Sequence, residues 1–437
     1  MTPEAGIDVP SADAERGDAM AARLEVMNFL NEMAERFPHA ISFASGRPAE
    51  QFFDMRAWIE SMHAYEDHLA TQRGISRQLV ERNLAQYGAT AGIVRELIAR
   101  QLYNDEQMDV AGDRILVTVG CQEALDVCVR TLCRNENDVL LARSPTYIGI
   151  TGAAYLGRIG IVSFRETEGG DIMAALEQAI KSARAQGKQP RALYLIPDFD
   201  NPTGKVIDLQ TRRAILALCA RHDILVLEDN PYGMFRYEGE RLPTMHALDE
   251  DQRVIYVGTF SKTLCPALRV GYALVPERSV GSSDLMAAMV QAKSFVSVNT
   301  SQLAQAVVGG VLLSQQCSLR NTVSKAVEHY RSNRDEMLDA LDRQFADLRS
   351  EVRWNRPEGG FFLVVTLPFT FGDEHVQRCA EAYGVLVMPL RYFALDASGD
   401  HCVRLAFSNT SPEKIREGVS RFSRFVHDHL DRKSASG

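Results

Sequence analysis

Lys262 stands in Thr259-Phe260-Ser261-Lys262, directly after the apolar run Val254–Gly258, and Arg269 follows seven residues later. A lysine at the end of a buried strand is costly unless it is used, because a desolvated ammonium has few cheap partners. As a neutral amine it attacks a carbonyl and forms a Schiff base. The hydroxyls of Thr259 and Ser261, with the guanidinium of Arg269, are donors suited to a phosphate. Three other stretches carry polar residues where apolar ones would be cheaper: Gly120-Cys121-Gln122, Asp200-Asn201-Pro202-Thr203-Gly204 and Glu228-Asp229-Asn230-Pro231-Tyr232. A lysine amine, a phosphate cup and a carboxylate such as Asp229 for a pyridine nitrogen together meet the needs of one cofactor, pyridoxal phosphate.

These clusters need a scaffold that ends in one place. The runs Ile115–Val119, Val139–Ala142, Leu193–Pro197, Ile224–Leu227, Val254–Gly258 and Val270–Val275 are continuously apolar. That pattern marks strands of a mostly parallel sheet covered on both faces by helices. Between them, Gln122–Leu132 places Leu125, Cys128, Val129 and Leu132 on one stripe. Asp208 is suited to cap a helix carrying Ala214, Ile215, Leu218 and Cys219. In open α/β sheets ligands bind beyond the carboxyl ends of the strands, where the four polar clusters fall. A loose tail over 1–20 and a helix over Ala21–Arg36 are expected before the sheet. After about 320 the texture changes to a charged helix (Val323–Phe345), short runs Val352–Trp354, Phe361–Val365, Val385–Met388 and Cys402–Phe407, and a closing helix from Pro412. This grouping predicts a smaller α+β domain over 318–437, after a larger one over 55–317, with 21–54 packing against the small domain.

Composition narrows the function. The chain has 437 residues, 46% hydrophobic and 24% charged, which is ordinary for a globular protein. Lys plus Arg is 48 and Asp plus Glu is 57, a net charge of −9, so no electrostatic footprint for nucleic acid is present. No apolar stretch approaches the ~20 residues of a spanning helix, and the first residues lack a secretory pattern, so a cytoplasmic location is expected. The eight cysteines form no C-x-x-C pair and the ten histidines are scattered, which argues against a disulfide framework and against a metal site.

The chain resembles the fold-type I pyridoxal phosphate aminotransferases of class I/II, within the group of 2-aminoadipate and kynurenine aminotransferases. The resemblance rests on ISFASGRP (41–48), AQYGATAGIVRELI (85–98), TVGCQEALD (118–126), SPTY (144–147), DFDNPTG (198–204), LEDNPYGMFRYEGE (227–240), VGTFSKTLCPALRVGY (257–272), PEGGFF (357–362) and VRLAFSN (403–409), in family order over nearly the whole chain. It implies a mostly parallel seven-stranded sheet sandwiched by helices. It also implies that Lys262 holds the cofactor and shuttles the substrate proton, that Asp229 keeps the pyridine nitrogen protonated, and that Asn201 and Tyr232 bond the phenolic oxygen. Tyr147 is implied on the ring face, and Cys121, Gln122, Thr259, Ser261 and Arg269 at the phosphate. Arg404 is implied at the substrate α-carboxylate, with Gly46 and Asn201 beside the substrate. Tyr87 is implied to come from a neighbouring subunit, making the enzyme a homodimer that acts on an amino acid and a 2-oxo acid.

Asp200, Cys121 and Ala267 depart from residues common in the family. The alternatives are a pyridoxal phosphate enzyme of specialised metabolism performing decarboxylation, elimination, replacement or oxidation, and the effector domain of a transcription regulator. The last requires a winged helix-turn-helix, for which the ~20 residues before the first expected helix are too few. Arg47 and Arg391 are candidates for selecting an acidic substrate side chain.

Overall fold

The computed structural model describes residues 32–436 apart from 34 and 167–169. The expected tail over 1–20, and the expected helix from Ala21 as far as residue 31, lie outside the described residues. Seven strands form the main sheet: β1 (Ile115–Thr118), β2 (Asp138–Arg143), β3 (Gly160–Phe164), β4 (Gln189–Leu195), β5 (Leu225–Asp229), β6 (Val254–Thr259) and β7 (Gly271–Leu274). Their spatial order is β1-β7-β6-β5-β4-β2-β3. Strands β2 to β6 pair in parallel, and β7 runs antiparallel to both neighbours.

The apolar runs became strands because both faces are covered; every residue of β1 and β7 is buried. Edge strand β3 was not marked by the run pattern. It is covered less, and only its Phe164 is buried. Strand β4 starts at Gln189, earlier than its apolar run, because the backbones of Gln189 and Pro190 lie opposite Asp138 and Val139. It ends at Leu195, where the chain leaves the sheet for the Asn201 loop.

Helices fill the flanks. Helix α1 (Met55–Arg73) packs on α5 (Gln302–Ser314) so closely that a Cβ on Gly310 would lie 1.7 Å from the Ser61 carbonyl oxygen. Helix α2 (Gly120–Leu132) buries the expected stripe of Leu125, Cys128, Val129 and Leu132. Helix α3 (Ile148–Gly157) follows Tyr147, and α4 (Leu209–His222) is capped by Asp208, which accepts from the Thr211 amide. A second sheet, β8 (Arg353–Trp354), β9 (Phe362–Thr366), β10 (Met388–Pro389) and β11 (Cys402–Ala406), has the order β8-β9-β11-β10 and is antiparallel throughout. Helices α6 (Arg320–Gln344) and α7 (Pro412–Ser436) share one buried cluster with it, including Leu338, Leu363, Leu405 and Phe422. Ile41 and Phe43 join that cluster. The expected strand Val385–Met388 divides, since Val385–Leu386 pairs with Ile41–Ser42 while Met388–Pro389 pairs with β11.

The turn before β9 is locked to two loops, the one that follows Asp229 and the one that carries Asn201. Tyr237 donates its hydroxyl to the Gly360 carbonyl, Asn355 donates to the Thr203 carbonyl at 2.7 Å, and Arg236 pairs with Glu358 at 2.7 Å. Gly360 adopts φ +74°, and a Cβ there would stand 2.5 Å from the Phe199 Cβ. Gly360→Ala is therefore both strained and blocked, at a cost of about 2 kcal/mol. A thermal melt should show a lower apparent Tm; an unchanged melt would contradict this account of the turn.

Candidate active site

Beyond the carboxyl ends of the central strands lies a cavity of about 350 Å³. Every site residue nominated from the sequence lines it except Tyr87, which is 82% exposed on the surface, and the selector candidate Arg391.

Lys262 follows the last residues of β6, and its Nζ donates to the Gly46 carbonyl oxygen at 3.0 Å. The same atom stands 6.0 Å from the centre of the Tyr232 ring. Burial lowers the ammonium pKa to about 8, and the charges of Arg404, Arg269 and Arg47 push the same way. Asp229 ends β5 and is almost fully buried. Its Oδ2 accepts from the Tyr194 hydroxyl at 2.8 Å, while its Oδ1 has no hydrogen-bond partner. Burial pushes this carboxyl up to about 7, and nearby Asp200 adds to the rise.

The start of α2 makes a second part of the wall. Gly120 adopts φ +70°, and a Cβ there would lie 2.2 Å from Arg269 Nη2. The residue before the helix, Val119, offers no side-chain cap, so the first-turn amides keep their capacity for an anion. Arg269 reaches the Ser261 hydroxyl at 3.1 Å, and the Thr259 hydroxyl accepts from the Ser261 amide at 3.1 Å. Arg269 is held at φ +50°, a conformation that costs about 1 kcal/mol or more and collects at functional sites. Gln122 donates to the Gly149 carbonyl at 2.8 Å and takes the Tyr147 hydroxyl at 3.4 Å. Its side chain thus steadies Tyr147 as well as lining the cavity. Burial pushes the Cys121 thiol up to about 12, so it is a neutral group there.

Arg404, on β11, is buried. It donates from Nη1 to Asn201 Oδ1 at 2.7 Å and from Nη2 to the Ala44 carbonyl at 2.5 Å, and its Nε is unpartnered. Its guanidinium carbon stands 4.3 Å from the Phe362 ring centre and 4.7 Å from that of Phe393. Desolvation lowers its pKa to about 10, which leaves it charged at neutral pH.

Of the two candidate selector arginines, Arg47 lines the cavity, whereas Arg391 does not and lies 3.7 Å from Asp400. Asp200 accepts from the Thr203 hydroxyl at 2.6 Å and braces the loop presenting Asn201. Three contributors escaped the sequence reading: Tyr194, hidden inside an apolar run, and the two rings around Arg404. Only the aromatic repeat after Gly359-Gly360 signalled one of them, Phe362.

These residues fit pyridoxal phosphate. An orphaned buried carboxylate oxygen suits a protonated ring nitrogen, an uncapped helix start beside Arg269 suits the phosphate, and an amine of lowered pKa suits the aldehyde. Fold and cavity together define a fold-type I pyridoxal phosphate enzyme. The chain belongs to the aminotransferase class I and II family, which matches over residues 40–422. It is 41% identical over 420 residues to the (S)-3,5-dihydroxyphenylglycine transaminase of Amycolatopsis orientalis, covering 96% of this chain and 95% of that protein. It is 32% identical over 392 residues to the 2-aminoadipate transaminase of Thermus thermophilus, covering 89% and 90% respectively. The solved kynurenine aminotransferase of Pyrococcus horikoshii superposes with a TM-score of 0.80 at 28% identity, over 93% of this chain and 95% of that one. The protein is a pyridoxal phosphate-dependent aminotransferase that acts on amino acids and 2-oxo acids.

The raised carboxyl of Asp229 has a cost in the cofactor-free chain. Between about pH 4 and pH 7 the folded chain binds a proton that the unfolded chain has released, so stability falls as pH rises through that window. Asp229→Asn, without cofactor, is expected to melt a few degrees higher than the parent at about pH 8. It should also bind the cofactor at least about tenfold more weakly, since the ion pair is lost. A lower melting point together with unchanged cofactor affinity would contradict this reading.

Proposed function

We propose that this cavity is the catalytic site of a homodimeric, cytoplasmic aminotransferase of amino-acid biosynthesis. The observation that carries the reading is that an amine of lowered pKa, Lys262, and a carboxylate oxygen without a partner, on Asp229, line one cavity. Pyridoxal phosphate, when bound, supplies an aldehyde that takes up amines and an electron-poor ring that accepts charge from the substrate Cα.

The chain's own residues do the rest. Lys262 is partly unprotonated near neutral pH, so its Nζ would be the group that holds the cofactor aldehyde and, as a free amine once a substrate amine has displaced it, the group that moves the proton at the substrate Cα. Asp229 holds the ring nitrogen in its protonated state through the oxygen that has no other partner. Asn201 and Tyr232 meet the phenolic oxygen, and Tyr147, steadied by Gln122, covers a ring face. The amides of Cys121 and Gln122, with Thr259, Ser261 and Arg269, hold the phosphate. Arg404 presents its fork to the substrate α-carboxylate, a geometry that a lysine does not reproduce. The packed rings of Phe362 and Phe393 fix the plane of that fork and keep water from it. Gly46 leaves room at this end, because a Cβ there would lie 2.2 Å from the Phe362 ring.

The exposed apolar residues Met55, Ile59, Phe295 and Tyr87 support a dimer in which Tyr87 reaches the partner's cavity. The eight free thiols suit the cytoplasm. The shared cluster of Ile41 and Phe43 with the second sheet supports the division into 55–317 and 318–437, with the described part of the segment before 55 joined to the latter. Ile148, Leu386 and Met388 in the cavity wall support an amine donor with an aromatic or apolar side chain.

Lys262→Ala is expected to lose turnover by a factor of about 10⁴ or more, with an unchanged circular dichroism spectrum. Arg404→Lys should keep the cofactor and raise KM for the amino acid by about two orders of magnitude. Full turnover by the first variant, or loss of cofactor by the second, would contradict these roles.

A further inference from the structure

We infer that Glu123 and Lys293, a buried ion pair behind the cavity wall, are positioning residues for the cofactor phosphate. Glu123 fixes the turn into α2 without using the amides that the phosphate needs, and Lys293 cancels the charge that Glu123 brings there. The inference rests on the reading above that the phosphate sits at the start of α2, and it names the side chains that hold that start in place.

The start of α2 poses a conflict. A helix start is commonly fixed by a Ser, Thr, Asp or Asn whose side chain accepts from the second or third amide of the helix. In α2, which begins at Gly120, those amides belong to Cys121 and Gln122, the two assigned to the phosphate. A capping side chain would occupy them. The capping position instead holds Val119, whose side chain makes no such bond. The turn is fixed from inside the helix: Glu123 Oε2 accepts from the Val119 amide at 2.6 Å. That amide precedes the helix, so nothing is withdrawn from the phosphate. This is the backward-reaching half of a capping box, used without its other half. On its carbonyl side Val119 lies 3.5 Å from Arg269 Nη2, so one residue joins Glu123 to a phosphate donor. Gly271 of β7 presses on the same turn, since a Cβ there would stand 2.7 Å from the Cys121 nitrogen.

The device brings an unwanted charge. A carboxylate in the first turn competes with the phosphate for the positive end of the helix and repels it. Lys293 removes that conflict. It lies on the helix Leu285–Val296 and is fully buried. Its Nζ stands 2.7 Å from Glu123 Oε2 and donates to the Ser297 hydroxyl at 2.8 Å. Burial pushes its ammonium below the usual lysine value, and Glu123 opposes the fall. Glu123 Oε1 has no hydrogen-bond partner, so its charge is met through the other oxygen alone. Stability does not explain the pair, because apolar side chains of similar volume would cost the fold no more. Such side chains could not hold the Val119 amide. Neither residue lines the cavity, so both act through the backbone and through charge.

The test uses the full chain freed of cofactor. Absorbance titration gives Kd for pyridoxal phosphate and for pyridoxal, which lacks the phosphate; competition gives the affinity of inorganic phosphate for the cup alone. Lys293→Met should bind pyridoxal phosphate and inorganic phosphate about tenfold more weakly, with pyridoxal changed by less than about twofold. Lys293→Gln keeps a donor for Glu123 without the charge; it should move the same way, and it serves where the methionine variant fails to fold. Lys293→Met combined with Glu123→Gln, neutral but retaining an acceptor for Val119, should recover to within about threefold of the parent. Lys293→Met combined with Glu123→Ala, neutral without that acceptor, should stay about tenfold weak. Equal losses for pyridoxal and its phosphate, or no loss when Lys293 is replaced, would overturn the inference, as would a neutral Gln double variant as weak as the single one. A parent that binds pyridoxal as tightly as its phosphate, with no competition from inorganic phosphate, would overturn the phosphate reading itself.

Discussion

Desolvation acts on two opposite charges around one cavity, and most of the structure follows from that. It raises the carboxyl of Asp229 and lowers the ammonium of Lys262, so that each group is held near neutrality at a cost to the folded chain. One ligand can relieve both: a protonated ring nitrogen pairs with the carboxylate, and an aldehyde consumes the amine. Tyr194 satisfies one oxygen of Asp229 and leaves the other open. A second protein donor there would have made the chain more stable and the site useless.

The scaffold places these groups by ending β5 and β6 side by side, so that Asp229 and the segment leading to Lys262 emerge from adjacent strands. The second sheet supplies the opposite wall. Its Phe362 and Arg404 are held against Asn201 because the turn before β9 is tied to the Asn201 loop through Asn355, and to the segment that follows Asp229 through Tyr237 and Arg236. The strained backbone of Phe199 and Arg269 belongs to the same economy. Both are held in the left-handed region where the chain turns into the cavity, and the surrounding hydrogen bonds and packing offset the strain.

Much of this arrangement was legible in the residues alone. Continuous apolar runs marked six of the seven main strands, because a strand covered on both faces has no polar side to interrupt the pattern. Polar clusters at their ends marked the cavity, and Asp208 marked the start of α4. The edge strand Gly160–Phe164 escaped because partial exposure erased its pattern. Tyr194 escaped because a tyrosine within an apolar strand reads as core until its hydroxyl is seen to meet Asp229. Arg47 and Arg391 were indistinguishable as sequence, since the fold alone decides which of them lies beside Asp400 and which lines the cavity. Tyr87 is exposed and lies outside the cavity, and nothing in the sequence around it distinguishes it from a residue of the cavity wall.

The most direct test of the central claim is chemical. Holoenzyme reduced with borohydride, digested and mapped by mass spectrometry should carry the reduced cofactor on the peptide containing Lys262 and on no other. A modified lysine elsewhere, or a protein that takes up no label after incubation with the cofactor, would contradict the account.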